Sequence, residues 1–184
     1  MALVTVAADK CHLLDPKGKL FFAMGVNYSG YFDRAWKMWE TDLYDPNLIA
    51  RDFRKAQNSG FNTIRLFVHT ALLEEIRQDN FVKLDETLSL AQDHELLVKL
   101  TLNDAHHLNL EHIGKLDAKI AARYKDVPTI FAYDLENEPV FYNLVAAVYP
   151  EEYRPPIQTS QLVDHYGPRV SREEAIDLQN QRRI

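Results

Sequence analysis

Four short apolar runs recur along the chain at nearly even intervals: Leu20–Val26, Phe61–Val68, Leu96–Leu102 and Thr129–Leu135. Runs of this length, rich in branched and aromatic residues, read as buried strands of a parallel sheet. The segments between them carry helical spacing. Asn47–Ser59 places Leu48, Ile49, Phe53 and Ala56 on one side and is followed by Gly60, a residue suited to the position just past a helix end. Phe81–His94 repeats the pattern with Leu84, Leu88 and Ala91. Leu108–Tyr124 repeats it with Ile113, Leu116, Ile120 and Ala121, and Pro128 stops the helix before the last run. The predicted order β-α-β-α-β-α-β implies crossover connections and a parallel sheet.

Ahead of this pattern, Leu3–Val6 and the turn Asp15-Pro16-Lys17-Gly18 predict a small hairpin or cap. Beyond Pro139 the pattern changes. Val140–Val148 is apolar, Tyr149–Gln161 reads as a long loop, and Ser171-Arg172-Glu173-Glu174 fits a capping box that opens a helix. A complete (β/α)8 barrel takes about 250 residues, whereas this chain has 184 and shows four strands. The expected fold is therefore α/β, a partial (β/α)8 barrel of about the first four β/α units. Residues 1–184 then form a single truncated domain: 1–19 the cap, 20–139 the four barrel strands, 140–184 the loop and helix after the fourth strand. The competing reading, a small doubly wound domain that binds a nucleotide, lacks its phosphate loop, because Met24-Gly25-Val26-Asn27-Tyr28-Ser29-Gly30 does not have the GxGxxG spacing.

Composition narrows the partners. Apolar residues make up 46% and charged residues 26%, and the net charge is −6, which disfavours nucleic acid. Cys11 stands alone, so no internal disulfide or cysteine zinc site is expected. No signal peptide and no membrane-spanning run is legible, so the chain as it stands reads as cytoplasmic.

In barrel enzymes chemistry sits at the C-terminal ends of the strands. The fourth run ends Asp134-Leu135-Glu136-Asn137-Glu138-Pro139. A glutamic acid there can protonate a glycosidic oxygen, and an amide beside it can bond a sugar 2-hydroxyl. Clustered acids raise one carboxyl's pKa, as a general acid requires. On spacing alone, a solvated acidic loop with a turn-forming Asn and Pro accounts for these residues slightly better. The third run ends Asn103-Asp104-Ala105-His106-His107, where one of the two histidines is a candidate for sugar hydrogen bonding. With His112 they also suggest a metal, but no carboxylate falls at a familiar ligand spacing, so no metal or cofactor is expected. Tyr28, Tyr31, Phe32, Trp36 and Trp39 follow the first run, and flat aromatic rings stack on sugar faces. Trp36 and Trp39, three apart, would equally form the buried side of a short helix.

Asn137-Glu138-Pro139 resembles the NEP motif of the clan of barrel glycoside hydrolases that includes family 5 cellulases and mannanases. The approach Ala122–Leu135, the second run from Gly60 to Leu66 and the first at Gly25-Val26-Asn27-Tyr28 are similar to the same family, in the same order and spacing. The resemblance covers about residues 3–140. It implies a retaining glycosidase acting on a β-linked glucan or mannan, with Glu138 as acid/base and Asn137 as 2-hydroxyl partner. It also implies that Arg65 orients the nucleophile carboxylate, although Arg65 would serve equally as a structural partner of Asp134 or Glu136. Asn27, Tyr28, Trp36, His106 and His107 are the expected substrate contacts. In this family the nucleophile is a glutamate ending the seventh strand, and Glu151, Glu152, Glu173 and Glu174 do not match it. The chain alone is thus expected to be inactive, and to associate with a second half-barrel or with itself. The alternative is a carbohydrate-binding remnant without turnover.

Overall fold

The computed structural model describes residues 3–15, 17–30, 35–102, 110–135 and 137, except the side chains of 35, 36 and 110. The chain opens with a three-stranded antiparallel flap, β1 (Thr5–Val6), β2 (Leu13–Leu14) and β3 (Leu20–Phe21), in that order. Asp9 organises the first turn by accepting bonds from the Cys11 and His12 amides (2.9 and 3.2 Å). Asp15 does the same for the Lys17 and Lys19 amides (both 2.8 Å). Such side-chain bonds let aspartate close a turn without help from a sheet.

The barrel strands are β4 (Gly25–Tyr28), β5 (Thr63–Phe67), β6 (Leu97–Thr101) and β7 (Ile130–Asp134), all parallel and adjacent in chain order. Strands that neighbour one another in sequence order send every crossover to the same face, which excludes the reversal of a doubly wound sheet. The helices α1 (Pro46–Asn58), α3 (Val82–Asp93) and α4 (Leu110–Tyr124) fill those crossovers, and a shorter α2 (Thr70–Arg77) precedes α3. The fold is that of a partial (β/α)8 barrel, with four parallel strands and helices in the three crossovers between them among the described residues. Its core lies between sheet and helices: Ile64, Leu66, Val98 and Leu100 from the strands meet Ile49, Phe53, Leu72, Ile76, Leu84, Leu88 and Ile120.

Most boundaries lie within two residues of expectation. Asp45 caps α1 through the Asn47 and Leu48 amides, and Gly60 takes a φ of +85° beyond its end. Two elements differ. The run Leu20–Val26 is not one strand but two, β3 and β4, so the flap extends past residue 19. Asn62 enforces the break: its amide donates to the Phe22 carbonyl (2.9 Å) and its oxygen accepts from the Met24 amide (2.8 Å). Phe22 consequently faces solvent, 82% exposed. The second difference is α2, which sequence pattern did not reveal. The helix and loop expected after Pro139 lie outside the described residues. No helix among the described residues is long and apolar enough to cross a membrane.

Candidate active site

Alternation along each strand sends one set of side chains to the helices and the other to the inner, concave face. On that inner face Asn27 pairs in register with Arg65, and Arg65 with Lys99. The guanidinium of Arg65 ion-pairs with Asp134 through its terminal nitrogen and also donates from Nε, 3.1 Å from Oδ2. Nε makes a second contact with the Thr101 hydroxyl at 3.0 Å, and that hydroxyl donates to Asp134 Oδ2 at 3.2 Å. Lys99 Nζ stands 3.5 Å from the same oxygen. Phe67 lies under the guanidinium, 4.7 Å from ring centre to Cζ, a favourable cation–π arrangement.

Register explains why these groups meet. Following the ladder from Arg65 leads to Lys99 and then Ala132, yet Arg65 touches Asp134, two residues further along β7. Tilted barrel strands are staggered in this way, so residues of alternate strands share a layer. Partial burial pushes the Asp134 carboxyl up. The bond from Arg65, the Lys99 charge and the Thr101 bond outweigh that and hold it below the usual carboxylate range. Asp134 is therefore an ionised anchor and not a proton donor near neutral pH.

An open cavity of about 270 Å³ lies on the inner face, lined by Gly25, Asn27, Thr63, Arg65, Lys99 and Phe131 among others. Asn27 is thus brought to the same face as Arg65. Tyr28 is not. Its ring is buried towards α1, edge-on to Phe53 at 5.1 Å, with the hydroxyl 3.4 Å from Asp52. One residue beyond Asn27, it points to the opposite face of the strand, so the expected sugar contact at Tyr28 is corrected to a core position. Asn137 is half-buried, three residues past the end of β7. Trp36 belongs to a 3-10 turn, Ala35–Trp39, and its side chain lies outside the described residues, as do Glu138, His106 and His107. Trp39, in the same turn, is fully buried. It donates from its indole nitrogen to the Phe67 carbonyl (2.9 Å) and stacks on Tyr44, so it secures the loop after β4 to the core.

Two features escaped the sequence. Lys99 and Thr101 belong to the Arg65–Asp134 network, and the only signal was a polar residue at every second position of an apolar run. His69 sits just past β5, buried, stacked on Phe67 with centroids 6.0 Å apart. Its signal was its place directly after the second run. Among the described residues no group of three or more His, Cys, Asp or Glu side chains could hold a metal ion.

No family model matches the chain, and no curated protein sequence matches it. Among solved structures, the endo-1,4-β-mannanase of Rhizomucor miehei is similar, with a TM-score of 0.54 and 16% identity over 90% of this chain. The chain spans 57% of the length of that mannanase. At this identity the likeness concerns the fold alone, part of a (β/α)8 barrel.

Proposed function

We propose that the chain supplies the acid/base half of a retaining, family 5-type glycosidase that cleaves a β-linked glucan or mannan. The observation that carries this reading is the position of Asn137: it follows the C-terminal end of β7, the edge of a barrel that holds chemistry. Glu138 is the next residue. In this reading Glu138 protonates the departing glycosidic oxygen and then takes a proton from the incoming water, while Asn137 bonds the sugar 2-hydroxyl. The nucleophile is a second carboxylate, about 5–5.5 Å from the first, carried by β/α units beyond those described. Arg65 suits a role in orienting it. Among the described residues its bonds leave from Nε and one terminal nitrogen, and a guanidinium has donors on its other terminal nitrogen too. Asn27, on the same face, is a substrate contact in this reading.

The test is reducing-sugar release from mannan and β-glucan by the chain, beside Glu138→Gln. Residues 1–184 alone are expected to give none. Release that the substitution abolishes would sink the missing-nucleophile part of the proposal. A second reading, sugar binding without turnover, is favoured by one observation: the cavity that Asn27 and Arg65 line has no carboxylate among its described lining residues. It predicts mannooligosaccharide binding that survives Glu138→Gln.

A further inference from the structure

The inner face of the sheet holds a charge that the described residues do not balance. Arg65 and Lys99 stand directly opposite each other in register, and Asp134 is the one carboxylate facing them among the described residues. Arg65 takes the closer contact and both of the shorter bonds. Lys99 keeps only a 3.5 Å approach and is 39% exposed, against 22% for Arg65.

The stagger that brings Arg65 to Asp134 also fixes what shares a layer with Lys99. Counting back by the same two residues leads to Gly25 on β4. In an eight-stranded barrel each layer receives about four side chains, from alternate strands. Here Gly25 contributes none, and a Cβ there would overlap the Thr63 carbonyl, so the position stays empty. Lys99 therefore reaches into open space, the cavity that both residues line. When further β/α units close the barrel, that space becomes interior. An ammonium group taken out of water must be paired.

We infer that the half which completes this barrel carries an inward carboxylate against Lys99, and that a second copy of this chain is excluded from that place. The inference rests on the reading that a second half closes the barrel. β4 and β7 are the terminal strands of the sheet among the described residues, and 57% coverage of the mannanase leaves the remainder of such a barrel without a counterpart. A two-fold axis along the barrel would set β7 of each copy beside β4 of the other, with all strands parallel. It would also bring Lys99 to meet Lys99 across two glycines, and would double the cation surplus.

The chain itself can serve as the probe. Lys99→Glu creates a half that presents a carboxylate at the required point. Sedimentation velocity on the wild type, on Lys99→Glu and on their equimolar mixture should show at least tenfold tighter association in the mixture than in either alone. Lys99→Met, which removes the charge without adding another, should self-associate more tightly than the wild type, and circular dichroism checks that both variants remain folded. Wild-type chains that dimerise as tightly as the mixture would overturn the carboxylate requirement. Association in none of the samples would overturn the inference that the charge of Lys99 is what excludes a second copy.

Discussion

Leu66 and Arg65 are neighbours on β5 and face opposite environments. Leu66 is fully buried among helix side chains, whereas Arg65 lies partly exposed on the inner face within a network of bonds to Asp134 and Thr101. The helix side derives its stability from apolar area and close packing, which tolerate little change of volume. The inner side depends on charge and hydrogen bonds, which depend on pH and on what else occupies the cavity. One strand thus divides the molecule into a side that maintains the fold and a side available for chemistry.

The sharpest way to break this contrast is to truncate each neighbour. Leu66→Ala should cost about 2–5 kcal/mol in urea unfolding, through lost contact and the cavity left behind. Arg65→Met should cost about 1–2 kcal/mol, because Lys99 and Thr101 continue to serve Asp134 and the pair is partly exposed. Equal losses would erase the distinction between the two faces.

The two layers also hold carboxylates with opposite habits. On α4, burial pushes Asp117 up to about 6, and no hydrogen bond or ion pair reaches it among the described residues. Its folded form holds a proton more tightly than the unfolded chain does. The stability it confers is present below the unfolded value of 3.8 and lost as pH rises through about 6. Asp117→Asn should therefore raise stability at pH 7 by about 1–2 kcal/mol, allowing for solvent screening, and give no gain near pH 3. Asp134 behaves inversely. Its lowered pKa contributes stability above the unfolded value of 3.8, lost as pH falls through the lower folded value. Stability measured from pH 5 down to pH 2 should fall less steeply in Arg65→Met than in the wild type; parallel curves would remove Arg65 from the cause. The smallest effect concerns Tyr133, whose buried hydroxyl has no hydrogen-bond partner among the described residues. Tyr133→Phe should be neutral or stabilising by up to about 1 kcal/mol, since it removes an unsatisfied polar group.

The sequence made the barrel strands legible because a strand covered by helices needs an apolar side, and short apolar runs record it. Helices with a side-chain cap or a glycine stop were equally legible, as α1 shows. α2 was not, since His69 precedes it without a side-chain capping bond and eight residues make only about two turns. The break between β3 and β4 was invisible because its cause, Asn62, lies 38 residues from Met24. At the site, the motifs single out Asn27 and Arg65 separately, and Asp134 could be named as a partner for Arg65; that Asn27 and Arg65 share a face follows from the strand register. The shared layer with Lys99 and Thr101 depends on a two-residue stagger that no single strand encodes. Tyr28 was not legible as a core residue, because an aromatic ring fills a core as readily as it stacks on a sugar and only strand alternation decides between them.

Asn62 has a kinetic consequence. The flap's strands are two residues long and cannot persist unaided, and the amide that brackets Phe22 and Met24 comes from the entry to β5. That bracket exists only after β5 lies beside β4, so the flap is expected to order late on folding and to open early. Its amides, such as Leu14 and Leu20, should exchange with deuterium through brief local openings, while those of Ile64 and Leu100 wait for the whole domain to unfold.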